Sequence, residues 1–241
     1  MTPSSYAPVD TLYLWFLGDP ARHTLVGTLN LVLTGARGGS LRYAAPWLRA
    51  GFALSEDLPL LDMEYLPQEK DVAAGAVDDA RPDRWGERVI RQIERPPRLS
   101  LLEMLYFAGD DRFRALGVST SPSRYTPHLR GSQPKLGDAD RLHDLVRKVL
   151  VGESVPESLR RLIAPGATMG GARPKALIEL DGAQWVLKFS EEEGSSEPLV
   201  EHAAMTLAAQ AGITVAETKH VPLAHGNAVA VKRFDRALGT R

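Results

Sequence analysis

Apolar and polar residues alternate over several short stretches of the chain, and glycine or proline separates them. Leu12, Leu14 and Phe16 alternate with less apolar neighbours, which is the period of two expected of a half-buried strand. Two further β-rich runs follow at 24–33 and 40–43. The first fifty residues therefore predict a small, twisted antiparallel sheet.

The pattern changes to helical spacing in the next part of the chain. Apolar residues recur every four positions over 79–93, from Trp85 to Ile93, which predicts an amphipathic helix. Ser100 and Glu103 have the spacing of a capping box, so a second helix is expected to begin there.

A segment rich in Ser, Pro, Gly and Arg at 119–137 is the clearest candidate linker. Regular patterns return after it. They predict helices over 138–151, 155–163 and 197–211, and strands over 215–223 and 227–232.

The stretch 166–190 carries the pattern with the most chemical content. A glycine-rich loop leads into a strand, Asp181-Gly182 gives a two-residue hairpin turn, and a second strand returns. Lys188 faces away from the apolar side chains of that returning strand, such as Trp185. A glycine loop, a hairpin and a strand lysine form the layout of a nucleotide-phosphate clamp. The same pattern also fits an ordinary loop and a solvated lysine.

Composition limits the classes of protein. The chain has 241 residues and a net charge of −1, so the basic excess of a dedicated nucleic-acid-binding protein is absent. It contains no cysteine, which excludes disulfides and cysteine-based sites. No apolar run is long enough to cross a membrane and no signal peptide is evident, so we expect a cytoplasmic protein. Adjacent Asp110 and Asp111 are interpreted as a turn, and no metal site is predicted.

Several motifs, in the same order along the chain, resemble the HipA family of serine/threonine kinases, the toxins of bacterial toxin–antitoxin systems. They are GGARPKALI at 170–178, WVLKF at 185–189, the E-x-x-x-M-x-L-A-x-x-x-G-I pattern at 201–213 and VKRFDR at 231–236. Upstream, VGTL, LSEDLPL, DARPDRWG and AGDDRFRALG resemble the amino-terminal region of the family. Arg114 departs from the pattern, because the family more often has glycine there.

The expected fold class is α+β, in two parts. A small antiparallel-sheet subdomain with helices is predicted over 1–118, and the linker over 119–137. A kinase-like N-lobe, a twisted antiparallel sheet with a helix packed on it, is predicted over 138–241. The helical C-lobe of the family is expected to be absent.

The resemblance implies a phosphate-binding role for the glycine loop. Gly170, Gly171 and Ala172 would contact the ATP phosphates. A hydroxyl residue in this loop is an autophosphorylation site in the family, and Thr168 occupies that place where the family usually has serine. Phosphorylation would add about two negative charges and pull the loop out of the phosphate-binding shape.

The resemblance also implies roles for residues beyond the loop. Lys188 would contact the ATP phosphates, and Glu201 would orient it as in the lysine–glutamate pair of kinases. Asp235 would lie near the ribose, and Lys232 and Phe234 would offer backbone groups to the adenine edge. The alternative for Arg233-Phe234-Asp235-Arg236 is a strand end with a buried phenylalanine and an ion pair.

Phosphoryl transfer also needs a carboxylate base and Mg²⁺ ligands, which in this family lie downstream of the FDR motif. We therefore expect an amino-terminal fragment of a HipA-like kinase, with its catalytic residues beyond Arg241. Alone it would bind ATP weakly at most, transfer no phosphate and take Mg²⁺ only with the missing lobe.

The resemblance further implies partners for the complete protein: a small DNA-binding antitoxin of the HipB type, and a protein substrate such as an aminoacyl-tRNA synthetase. Two other classes stay open. One is a non-catalytic binding or antidote module that associates with a HipA-like kinase or antitoxin. The other is a nucleic-acid-binding module, which the balanced charge disfavours.

Overall fold

The structure is a computed structural model that describes residues 7–19, 21–35, 37–110, 115–127, 133–163, 171–192 and 194–235. It divides into two compact units. The first comprises Met1–Pro82 and Glu94–Leu129, and the second comprises Asp83–Ile93 and Arg130–Thr240. The division differs from the predicted 1–118 and 138–241, because an upstream helix belongs to the second unit.

Within the described residues, the first unit contains six strands and three helices: β1 (Thr11–Phe16), β2 (Thr24–Val32), β3 (Gly38–Tyr43), α1 (Ala45–Ala50), β4 (Glu64–Tyr65), β5 (Val72–Ala73), α2 (Gly75–Asp78), α4 (Leu101–Phe107) and β6 (Leu116–Ser119). The second unit contains α3 (Arg84–Ile93), α5 (Ala139–Val151), α6 (Glu157–Ile163), β7 (Lys175–Leu180), β8 (Ala183–Phe189), α7 (Glu197–Gln210), β9 (Thr218–Leu223) and β10 (Gly226–Lys232). The predicted α+β class with antiparallel sheets is confirmed.

Neighbouring side chains of β1 pack in two different cores of the first unit. The sheet has the order β4-β3-β2-β1-β6, with β5 parallel to β3. The register of β1 against β2 shifts between Leu14 and Trp15. Successive side chains on a strand point to opposite faces, and both of these are buried. Leu14 packs in the main core, whereas Trp15 packs in a smaller cluster with Leu17 and Tyr125.

Part of the predicted linker is packed structure. Tyr125 is 7% exposed and donates a hydrogen bond to the carboxylate of Asp110. Its ring lies 6.0 Å from that of Trp15. Ser119, at the end of β6, accepts a hydrogen bond of 2.8 Å from the indole Nε1 of Trp15. The described residues up to 127 therefore belong to the first unit. Asp110 has a structural partner, and Asp111 and Arg114 lie outside the described residues.

The capping box predicted at Ser100 is present. The Ser100 hydroxyl accepts a hydrogen bond from the Leu102 N–H, and the Ser100 N–H donates to Glu103 at 2.9 Å. Glu103 is fully buried and also pairs with Arg98 at 2.9 Å. These contacts compensate the burial of the carboxylate and fix the start of α4.

The second unit is built on a four-stranded antiparallel sheet of order β7-β8-β10-β9. Asp181 and Gly182 have φ of 52° and 71°, as the predicted tight turn between β7 and β8 requires. One face of the sheet carries Trp185, Leu187 and Phe189 and packs against α3 and α5 in the main core of this unit.

Helix α7 buries little of its surface. Pro198 is the one buried residue of this helix, while Val200 and Leu207 are 61% and 63% exposed. Ile213, just after the helix, is 60% exposed. A helix with this much apolar surface is normally covered by other elements. Phe234, at the end of the described chain, is 89% exposed.

Candidate functional site

Two lysines face each other across the β7–β8 hairpin. The register pairs Lys175 directly with Lys188, so both side chains lie on the sheet face opposite to Trp185. Like charges at such positions destabilise a sheet unless anions lie nearby. The structure places two carboxylates there, from Glu201 on α7 and from Asp83 just before α3.

Lys188 and Glu201, which the sequence predicts as a pair, are brought together by the fold. The Lys188 Nζ atom donates to the Glu201 Oε1 atom at 2.5 Å. The two side chains are 30% and 24% exposed, so solvent can still reach the pair. The contact fixes the ammonium of a strand lysine by a helix glutamate, which is the arrangement of the kinase lysine–glutamate pair.

Lys175 is far more enclosed than Lys188. Its side chain is 4% exposed, its ammonium donates to the carbonyl of Gly171, and it lies 3.6 Å from the Asp83 Oδ2 atom. Burial is the main cause that lowers the pKa of Lys175, and the charge of Lys188 lowers it further. The charges of Asp83 and Glu201 oppose this shift. The site thus holds one partly exposed ammonium group, from Lys188, and one enclosed ammonium group, from Lys175.

Gly171, the first described residue of the glycine loop, lies beside Lys175. Gly171 has φ of +105°, and a Cβ atom there would lie 3.3 Å from the Lys175 ammonium, so glycine suits the position. Gly171 and Ala172 are exposed. Gly170 and Thr168, also predicted for this loop, lie outside the described residues.

Arg173 adds a third cation beside the loop. Its guanidinium donates to Glu197 at 3.1 Å and lies 3.9 Å from the Glu201 Oε2 atom. Half of the Arg173 side chain is exposed. Three cationic side chains, Arg173, Lys175 and Lys188, therefore lie beside the glycine loop, and glutamates of α7 pair with two of them.

The residues predicted at the adenine and ribose edge follow β10. The Lys232 N–H donates to the Glu217 carbonyl at 2.9 Å, so it is engaged inside the sheet. Asp235 accepts two hydrogen bonds from Arg233, at 2.9 and 2.6 Å. The ion pair of the alternative interpretation is thus present, whereas Phe234 is exposed rather than buried.

Sequence reasoning did not single out Lys175 or Asp83. A signal for Lys175 exists: a two-residue turn at Asp181-Gly182 fixes the register, and counting back from the turn places Lys175 opposite Lys188. For Asp83 the sequence offers no comparable signal, because its contact with Lys175 joins residues that are far apart in the chain.

A concave pocket lies elsewhere in the second unit. It is formed by α5, the loop after β8 and the β9–β10 turn, and its lining includes His143, Arg147, Ser190, His225 and Asn227. His143 stacks on Phe189 with ring centroids 5.7 Å apart, and burial followed by the charge of Arg147 lowers its pKa. Of the predicted site residues that the structure describes, none lines this pocket.

Within the described ranges, no three His, Cys, Asp or Glu side chains cluster in a way that could hold a metal ion. The helices in that part of the chain are also too short or too polar to span a membrane.

Comparison with known proteins supports the resemblance. Residues 167–241 match the family model of the HipA-like C-terminal domain. Among solved structures, the chain is similar to HipA in the complex of the Shewanella oneidensis MR-1 toxin–antitoxin system HipA, HipB and its operator DNA. The predicted resemblance to the HipA family is confirmed. The family model begins at the glycine loop and covers Lys188, Glu201 and Asp235.

The structural match to Shewanella HipA covers 95% of this chain, with 19% sequence identity and a TM-score of 0.55. This similarity supports a HipA-like fold. It covers 52% of the HipA chain, so the sequence spans about half the length of that relative. A search of curated proteins gave no match.

Proposed function

We propose that the second unit forms the phosphate-binding half of an ATP site in a HipA-like serine/threonine kinase. The observation that carries the proposal is the Lys188–Glu201 contact of 2.5 Å on the sheet face that also holds Lys175 and the end of the glycine loop. The match of residues 167–241 to the HipA-like C-terminal domain supports it.

The residues of this face fit a polyphosphate. Lys188 offers an ammonium group that Glu201 orients, and Gly171 and Ala172 are exposed glycine-loop residues whose small size lets a ligand approach the backbone. Lys175 adds positive charge from beneath the loop. Charge-assisted contacts with phosphate are about twice as strong as neutral hydrogen bonds.

ATP supplies the phosphoryl group that a kinase transfers. Lys188 and the loop would orient it, and Asp235 would lie near the ribose. Transfer further requires a base and Mg²⁺ ligands, which we assign to the remainder of a whole HipA-like protein. Thr168 stays the candidate for autophosphorylation, and a protein such as an aminoacyl-tRNA synthetase stays the candidate substrate.

A titration with MgATP into the millimolar range tests the proposal. We expect Lys188→Met to raise the dissociation constant at least about tenfold, because a lost charge-assisted contact costs about 1.5 kcal/mol or more. Lys219→Met is the matched control. That lysine pairs with Asp181 and lies over the ring of Trp185, on the other face of the sheet. Equal effects of the two variants would reject the assignment.

Protein association is the second candidate function. The apolar side chains exposed along α7, among them Val200 and Leu207, favour a surface that another protein segment covers. The similar HipA structure is a complex with HipB and operator DNA, so a HipB-type antitoxin is the proposed partner. Co-purification with a HipB-type protein would test that partner, and loss of complex in Leu207→Glu would assign it to α7.

A further inference from the structure

Asp83 uses its two carboxylate oxygens for two different purposes. The Oδ1 atom accepts hydrogen bonds from the N–H groups of Trp85 and Gly86, both at 3.1 Å, and so caps the start of α3. The Oδ2 atom is buried, accepts no hydrogen bond from any residue that the structure describes, and faces the Lys175 ammonium at 3.6 Å. Capping needs one oxygen, so the enclosed second oxygen requires another explanation.

Lys175 connects Asp83 to the glycine loop. Its ammonium donates to the Gly171 carbonyl, while its own carbonyl accepts a hydrogen bond of 2.9 Å from the Trp85 indole. The start of α3 therefore contacts both the side chain and the backbone of Lys175. Gly171, at the other end of this connection, has a backbone conformation that favours glycine, with φ of +105°.

We propose that Asp83 is a positioning residue for the glycine loop, acting through Lys175. The carboxylate holds the enclosed ammonium charged and in place, and the ammonium holds the carbonyl of Gly171. The consequence for ligand binding rests on the proposed ATP site, whereas the connection itself is independent of it.

The charges around Lys175 explain why a carboxylate is needed there. Among the described residues, the charged groups that face it include Asp83 before α3, Lys188 on β8 and Glu201 on α7. Glu201 is already bound to Lys188 at 2.5 Å. Without Asp83, the enclosed ammonium of Lys175 would lie opposite Lys188, and the two lysines would share the carboxylate of Glu201. Burying a charge is costly when less negative charge compensates it, so the pKa of Lys175 would fall further or its side chain would move.

Asp83→Ser separates the two purposes of the side chain. Serine caps helices about as well as aspartate, but it has no second oxygen to face Lys175. Glu217→Gln is the matched control, because it removes an acidic partner from another lysine of the same unit, Lys232, at an exposed ion pair of 3.0 Å.

Two measurements on the full chain test the connection without any ligand. In Asp83→Ser, the midpoint of the Lys175 ¹³Cε NMR titration should move to lower pH. Amide hydrogen exchange over 171–177 should accelerate about tenfold, equivalent to about 1.4 kcal/mol, with exchange over 84–93 unchanged. Glu217→Gln should change neither. The proposal is overturned if the Lys175 titration midpoint does not move or if loop exchange is unchanged. It is also overturned if exchange in α3 accelerates equally, because that result would show only a lost helix cap.

MgATP titration of the same variants then tests the consequence. Asp83→Ser should weaken binding about tenfold. If the unsubstituted chain binds no MgATP, the proposed function fails, while the titration of Lys175 and the loop exchange still decide the role of Asp83. If ATP binds equally well to both proteins, Asp83 does not position the loop for this ligand and the proposed consequence for ligand binding is overturned.

Discussion

Removing the two partners of the Lys188–Glu201 pair should have unequal effects on stability. Glu201→Gln leaves Lys188 facing Lys175 and removes a carboxylate that also lies 3.9 Å from Arg173. Lys188→Gln instead leaves Glu201 near Arg173 and relieves Lys175 of a like charge. Glutamine is the replacement in both variants, so the comparison isolates which charge is lost.

The expected size follows from the burial of the pair. Exposed ion pairs contribute about 1 kcal/mol or less, and breaking a buried pair costs about 3–5 kcal/mol. Here the side chains are 30% and 24% exposed. We therefore expect Glu201→Gln to cost about 2 kcal/mol, and Lys188→Gln to cost less than about 1 kcal/mol.

Hydrogen exchange over β7 and β8 is the suitable assay, because it reports on the second unit alone in a chain of two units. The exchange free energy should fall more in Glu201→Gln than in Lys188→Gln, and the gap should narrow as salt is raised. Equal losses, or a larger loss in Lys188→Gln, would refute the view that Glu201 offsets the charges of several cations.

Three further predictions concern both units. Glu103→Gln should destabilise the first unit by about 3 kcal/mol, because it removes the charge of the buried carboxylate that pairs with Arg98. Hydrogen exchange over α4 measures this loss, and an unchanged exchange rate would contradict it. Gly171→Ala should weaken MgATP binding and accelerate loop exchange, since φ of +105° strains alanine; unaltered binding and exchange would count against this backbone requirement. Because the folded-state pKa of Lys175 lies below 10.5, the unfolded chain binds more protons between those values. The free energy of unfolding should therefore increase with pH between the folded-state pKa and 10.5. Lys175→Met should remove this increase, and an identical pH slope in the variant would exclude Lys175 as its source.

Local features of the fold were predictable from the sequence because they depend on neighbouring residues. The Asp181-Gly182 turn and the alternation around Lys188 defined the hairpin. The predicted helix over 79–93 has its observed start at Arg84, because Asp83 caps it there. Strands β4 and β5 have two residues each and carry no measurable period, so they were missed.

Features that depend on distant residues were not predictable in the same way. The assignment of α3 to the second unit rests on burial of Trp85 with residues of α5 and β8. Tyr125, in the predicted linker, is part of a buried cluster with Trp15. Asp83 and Lys175 meet through the same long-range packing. In the candidate site, the paired lysine and glutamate followed from motifs, whereas the enclosed lysine and its carboxylate required the fold.

A ¹H–¹⁵N NMR titration with MgATP shows whether ATP phosphates bind beside the glycine loop, as proposed. We expect the amides of Gly171, Lys175 and Lys188 to shift together with a single saturation curve. The proposal is contradicted if those amides stay fixed, or if the shifts concentrate around the pocket at His143 and His225.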